Sequence, residues 1–210
     1  MENQLTEIIF LLDCSGSMAG LEPDTIGGFN SMLEKQKNED GKAYVTTILF
    51  NHEVRLLHDR LDLKEVPKLT TEDYEVGGMT ALLDAMGYAM EKVGIVYDGK
   101  KSEKAIFIIV TDGVENYSKR FTFERIKRMV KYQKKQGAEF IFLGADMDAI
   151  AAAAEVGIED DYAVEYRADK SGIKLGYDVI YETIRGFRRS GEIKEDWKRR
   201  IEEDSEIRKR

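Results

Sequence analysis

Four short, uninterrupted apolar runs constrain this chain more than any other feature: Glu7 to Asp13 (EIIFLLD), Ala43 to Phe50 (AYVTTILF), Lys104 to Asp112 (KAIFIIVTD) and Ala138 to Ala145 (AEFIFLGA). Each is rich in Ile, Val and Phe and bounded by polar or glycine-bearing segments, the signature of a strand. Strict alternation would mark a sheet with one wet face. Continuous runs demand cover on both faces, as in a mostly parallel sheet between helices. A fifth run, Glu53 to His58 (EVRLLH), follows the second after only Asn51 and His52, and so short a link permits only an antiparallel hairpin. A weaker strand is expected at Asp161 to Arg167 (DYAVEYR).

Helical patterns fall between these runs. Thr25 to Lys37 carries Ile26, Phe29, Met32 and Leu33 on one face, and Met79 to Val93 is rich in Ala, Leu and Met. Thr122 to Gln136 gathers Phe123, Ile126, Met129 and Val130 opposite Lys and Arg, and Gly137 supplies a stop. Alanine-rich Met147 to Val156 and Leu175 to Phe187 complete the set. The rhythm predicts an α/β fold, a doubly wound, mostly parallel sheet with helices on both faces. One domain is expected over residues 1–190, followed over 191–210 by a charged extension. From about Glu192 that extension has few apolar residues beyond Ile193, Trp197 and Ile201, so a surface helix or partial disorder is expected.

Composition narrows the function. Of 210 residues 32 are basic and 40 acidic, a net charge of −8, which argues against general nucleic-acid binding because phosphate needs a basic face. Cys14 is the only cysteine and has no internal partner, which fits a reducing compartment. The start, MENQLTEIIFLLD, lacks the basic residues, long apolar stretch and cleavage site of a signal peptide. No apolar stretch reaches the roughly 20 residues that span a bilayer. A cytoplasmic protein is expected, with no membrane partner.

The chemistry sits where the first strand ends, in LLDCSGSMAG. Asp13, Ser15 and Ser17 lie two apart, just outside a strand's carboxyl end, where doubly wound sheets bind their ligands. One carboxylate and two hydroxyls are hard oxygen donors that suit Mg²⁺ or Mn²⁺ rather than zinc. Alternate spacing in a turn lets such side chains converge, and Gly16 gives the loop the freedom to bend. Two later stretches can complete the set. Gly77-Gly78-Met79-Thr80 is expected to open a helix with its threonine hydroxyl aimed at the first loop. Thr111-Asp112-Gly113 ends a neighbouring central strand and brings a second carboxylate.

This set resembles the metal-ion-dependent adhesion site of von Willebrand factor A domains, whose motif is Asp-x-Ser-x-Ser, then a Thr, then an Asp. Asp13, Ser15, Ser17, Thr80 and Asp112 supply all five. The resemblance extends in element order to about Arg167. It implies six strands in the order 3-2-1-4-5-6 with the third antiparallel, and hydroxyls that touch the metal while the aspartates act largely through water. It also implies a non-enzymatic, protein-binding role. Two carboxylates only neutralise a divalent ion, so Mg²⁺ (or Mn²⁺) stays electrophilic and keeps exchangeable waters. An Asp or Glu of a partner protein can then replace one.

Other readings attach to the same residues. Asp13, Ser15 and Ser17 could be a helix cap and turn, and Thr80 could cap its helix. Glu115 and Asn116, with Gly16, Gly78 and Gly113, are candidates for the rim of the site, or a solvated loop. Asp146 and Asp148 read as capping the alanine-rich helix, Cys14 as a small buried side chain, and Arg125 to Lys135 as a solvated helix face. His52 and His58 have no ligand-spaced partner and are expected on the hairpin surface or strand edge. A metal-dependent hydrolase or phosphotransferase is a competing function. Against it, the second aspartate of aspartyl phosphatases is here Ser15, no G-x-x-x-x-G-K-[ST] occurs, and no histidine lies in the motif as a base. A scaffold with an empty site is a third reading, opposed by the oxygen side chains at all five positions.

Overall fold

In the computed structural model, which describes residues 5–96 and 103–208, the apolar runs form one six-stranded sheet in the order β3-β2-β1-β4-β5-β6. The strands are β1 (Leu5–Asp13), β2 (Ala43–Phe50), β3 (Val54–Asp62), β4 (Glu103–Thr111), β5 (Ala138–Ala145) and β6 (Ala163–Tyr166). Every neighbouring pair is parallel except β2 and β3, which Asn51 turns into a hairpin by accepting from Glu53 N at 2.9 Å. The helices are α1 (Glu22–Lys37), α2 (Leu82–Val96), α3 (Phe123–Lys135), α4 (Ala149–Val156), α5 (Lys170–Ser190) and α6 (Arg199–Arg208).

The continuous runs are continuous because both sides of the sheet are covered. Ile8, Phe10 and Leu12 of β1 join a core made with Phe29 and Met32 of α1 and Ile180, Ile184 and Phe187 of α5. Ile9 and Leu11, one residue out of phase, join a second core with Met86 and Met90 of α2, Ile126 and Val130 of α3, and Ala153 of α4. The period of two that assigns alternate residues to opposite faces makes register strict: a slip of one residue would exchange the two sets. Phe10 meets Phe29 edge-on at 5.1 Å and Phe107 stacks on Phe140 at 4.5 Å. Truncating any of these to alanine would cost about 3–5 kcal/mol.

The topology also places the site. The chain winds outward from β1 to β3 on one side, then returns to β4 and winds outward on the other. The order therefore reverses between β1 and β4, whose carboxyl ends lie side by side because Leu12 pairs with Val110. Asp13 consequently ends its strand next to Thr111. A crevice opens there because the loops after β1 and β4 diverge to opposite faces.

Three expectations are corrected. The Gly77–Thr80 stretch does not open α2, which begins at Leu82. Thr80 lies in the preceding loop, held there by the side-chain oxygen and the backbone N–H of Asn116. β3 runs four residues beyond His58, to Asp62, with an irregular register opposite Thr46 and Arg60 at φ +50°. The predicted strand at Asp161 to Arg167 shrinks to Ala163–Tyr166, since Asp160–Tyr162 forms a 3-10 turn. The charged extension carries helix α6. Trp197 and Ile201 are buried, and Trp197 Nε1 donates to Asp161 O at 2.7 Å, so this segment is anchored on the sheet's β6 side.

Candidate functional site: converging oxygens at the β1–β4 edge

Asp13 is the last residue of β1, is 1% exposed, and is committed on both of its carboxylate oxygens. Oδ1 accepts from Ser15 N at 2.7 Å, and Oδ2 accepts from Thr111 Oγ1 at 2.5 Å. The first bond curls the chain into the turn that carries Ser15 and Ser17. The second crosses from β1 to β4. The Asp13 carbonyl in turn accepts from the buried Tyr74 hydroxyl.

Around this anchor the other expected residues converge. Ser15 Oγ lies 3.1 Å from Ser17 Oγ, and Ser17 Oγ donates to Asp112 Oδ1 at 2.6 Å. Because the Ser17 hydroxyl donates to the carboxylate, its lone pairs are left to accept, and Ser15 Oγ is placed to donate to one of them. Thr80 Oγ1 belongs to the same cluster: a methyl group placed on Gly113 would lie 3.0 Å from it and 3.6 Å from Ser17 Oγ. Gly113 is thus the backbone wall between the two hydroxyls, and a side chain there would crowd both.

Neither capping reading describes these residues. Ser15 precedes a 3-10 turn without a side-chain cap, and α1 starts at Glu22 with no side-chain cap from Leu21. The first amides of α2 go to other partners: Leu83 N donates to Glu115 Oε2 at 2.9 Å and Asp84 N to Ser118 Oγ at 3.0 Å. Glu115 and Asn116 lie in the loop after β4, Asn116 exposed to solvent, and both hold neighbouring backbone. Glu115 caps α2 and also accepts from Tyr117 N, Ser118 N and the Ser118 hydroxyl. Asn116 clamps Thr80 from both sides, accepting from Thr80 N at 2.8 Å and donating its own N–H to Thr80 O at 3.0 Å. Gly16 and Gly78 make a similar brace, Gly16 N to Gly78 O at 3.1 Å, with Gly78 at φ +79°, where glycine is favoured.

The electrostatics follow from burial. Burial raises Asp13 to about 6, against opposing hydrogen bonds from Thr111 and Ser15 and with a small push from the charge on Asp112. Burial likewise raises Asp112, offset in part by Ser17. The donors to both carboxylates are hydroxyls and amides, and among the described residues no lysine or arginine pairs with either. Also among the described residues, no three His, Cys, Asp or Glu side chains gather as a metal-binding group. A cation here would be held by three hydroxyls and two carboxylates, a hard oxygen set that fits Mg²⁺ or Mn²⁺.

Two neighbours of Asp13 were not singled out from sequence. Thr111 and Tyr74 hold Asp13 from a neighbouring strand and a distant loop. Thr111 left a signal, a polar residue ending an apolar strand; Tyr74 left none. His52 packs over Gly78, so closely that a side chain on Gly78 would strike its ring, and meets Tyr117 edge-on at 6.1 Å. His58 is buried on β3 beside Thr47 Oγ1 at 3.0 Å, away from the site. Cys14 is a buried side chain whose thiol donates to Phe50 O at 3.3 Å and is pushed up to about 12 by burial. Asp148 caps α4 by accepting from Ala151 N.

With this geometry in place, comparison with known proteins identifies the chain. It belongs to the von Willebrand factor type A domain family, whose profile matches residues 7–172. No curated protein matches it by sequence. Solved structures share the fold at low identity. The von Willebrand factor domain of the type V pilus tip protein Mfa5 from Porphyromonas gingivalis superposes with a TM-score of 0.65 at 11% identity, over 92% of this chain and 99% of that one. The pilus adhesin SpaC from Lactobacillus rhamnosus GG, in an open conformation, gives 0.68 at 12%, over 88% and 30%. Proximal thread matrix protein 1 from the mussel byssus, with a zinc-occupied metal-ion-dependent adhesion site, gives 0.60 at 14%, over 86% and 46%. The chain thus spans under half of the last two proteins.

Proposed function

We propose that this domain is a metal-dependent protein-binding module, not an enzyme, in which Ser15, Ser17 and Thr80, with Asp13 and Asp112 behind them, hold Mg²⁺ (or Mn²⁺) for an acidic residue of a partner protein. The observation that carries the reading is the convergence of Ser17, Asp112 and Thr80, from three separate stretches, beside the buried Asp13. When bound, a divalent cation supplies uncompensated positive charge and exchangeable positions for an anionic oxygen.

The protein's part is preorganisation. Asp13 fixes the turn and the β1–β4 junction, Asp112 accepts the hydrogen bond of the Ser17 hydroxyl, and Asn116 holds Thr80 at its post. The fold neighbours, a pilus adhesin, a pilus tip protein and a thread matrix protein with an occupied metal site, support this reading.

The test is capture of a partner from native lysate by wild-type protein and by Asp13→Ala, each with Mg²⁺ and with EDTA. Capture by wild type with Mg²⁺ alone is expected. Equal capture in all four conditions would sink the reading. A thermal titration gives an independent check, since a ligand selective for the folded state raises its melting temperature.

A further inference from the structure

Ile207 and Tyr132 are the most exposed large apolar side chains among the described residues, at 70% and 61%. One such residue alone is ordinary. These two stand on helices of opposite charge. α3 carries six Lys or Arg against the single Glu124, in a chain whose net charge is −8. α6 carries four acidic residues and no basic one from Glu202 to Ile207.

Tyr132 belongs to a groove. Together with Met90, Met129, Arg125 and Arg128 it lines a space of 470 Å³ between α2 and α3. Arg128 is engaged by Glu124 of its own helix at 3.1 Å, an exposed pair of the kind that is worth little and readily exchanged. Lys131, beside Tyr132, is exposed. The groove is thus apolar within and basic along its α3 side.

Ile207 is held outward just as firmly. Ile201 of the same helix is buried, Arg208 donates to Asp169 at 2.7 Å, and Arg208 meets Asp204 at 2.9 Å. With α6 pinned at both ends, Ile207 stands outside with exposed Glu206 beside it and exposed Glu203 one turn earlier on the same face. The two patches of one chain cannot meet each other. Ile201 of α6 packs in the first core, while Ile126 and Val130 of α3 pack in the second, on the opposite face of the sheet.

We propose that the groove between α2 and α3 takes the outer face of α6 from a second copy of this chain, with Ile207 seated against Met129 and Tyr132, and Glu203 and Glu206 turned toward Arg128 and Lys131. Unlike patches meet, so the contact is heterologous and copies join head to tail. A concave apolar groove receives a side chain that stands out from a helix, whereas a flat anionic surface would leave it unfilled. The apolar area is small and the charges are exposed, so the association is weak and falls with salt. It neither uses nor tests the cation site at the β1–β4 edge.

The test is sedimentation velocity of the full chain in EDTA, which keeps that edge out of the measurement. The average mass of wild type should rise with concentration between about 10 μM and about 1 mM, and should return to that of a monomer in high salt. Tyr132→Asp and Ile207→Asp change exposed positions; each should melt like wild type and stay monomeric alone. Mixed, they should form one-to-one pairs and nothing larger, because each supplies the patch that the other lacks. Wild type that stays monomeric over this range, association that survives in either variant, or a mixture that fails to pair would overturn the proposal. So would a monomeric wild type whose groove binds a synthetic Leu/Glu amphipathic helix, since the groove would then belong to a different protein.

Discussion

The two ends of the sheet solve opposite charge problems. At the amino end a cation is surrounded by oxygens: Arg188 of α5 donates to the carbonyls of Gln36, Glu39, Asp40 and Gly41 and to Gln36 Oε1, at 2.9–3.3 Å. It thereby staples the end of α5 to the α1–β2 connection. At the carboxyl end oxygens gather with only neutral donors among them. The first arrangement is internally matched and its consequence is stability. The second leaves two buried or half-buried carboxylates with neutral partners, a pattern associated with function more than with structure. One sheet thus carries a charge-matched polar contact at one end and carboxylates with only neutral donors at the other.

The predictions are ways to make these ends trade places or keep apart, taken from the largest effect down. Asp13→Ala should weaken Mg²⁺ binding at least ~100-fold by calorimetry, since it removes a charge and releases the Ser15 turn together. The amino end should not notice: urea unfolding without metal should lose no cooperativity. Arg188→Met should do the reverse, costing about 2–3 kcal/mol of unfolding free energy by leaving a set of half-buried carbonyls without their donor. Its Mg²⁺ affinity should match wild type, and a parallel loss would mean that the two ends are coupled.

Acidity sharpens the contrast. Asp13 is raised to about 6 from a reference of 3.8, so at pH 5 it is only about one-tenth ionised, and Mg²⁺ affinity should fall roughly tenfold from its value at pH 7. The sign for stability is opposite. A group whose folded value is raised stabilises the metal-free protein fully below 3.8 and loses that contribution as pH climbs through 6. Metal-free melting should thus decline from this cause between pH 4 and 7, while the increment gained from Mg²⁺ should grow; a flat Mg²⁺ increment over that range would contradict the assignment. The smallest effect belongs to Asn116→Ala. Losing the side-chain half of the Thr80 clamp should weaken Mg²⁺ binding about three- to tenfold with little change in melting.

The strands were legible where the environment is uniform. β2 and β5 match their expected limits of Ala43–Phe50 and Ala138–Ala145, because both are covered on two faces and their apolar runs end where the cover ends. β3 was cut short since an edge strand mixes exposures, and Asp59 and Arg60 look like the close of a strand rather than its middle. α5 begins five residues before the expected Leu175. Asp169 caps it by accepting from Gly172 N, while a polar first turn hides the start.

In the site the five oxygen residues could be named from spacing and element order. Their supports could not. Thr111 reaches Asp13 from a residue 98 positions away and Tyr74 from one 61 away, and no local pattern encodes such pairings. Glu115 and Asn116 were noticed for their location, yet their task, capping α2 and clamping Thr80, depends on a loop crossing that only the folded chain makes.

The bond between Thr111 and Asp13 has a kinetic meaning. Contacts between residues so far apart form only after the chain has closed a large loop, and such closures come late and set the pace of folding. A molecule whose β1 and β4 have not yet met has no oxygen cluster at all. The proposed recognition at that edge would therefore be a privilege of completed molecules, with half-built or unravelling copies silent toward any ligand that depends on it.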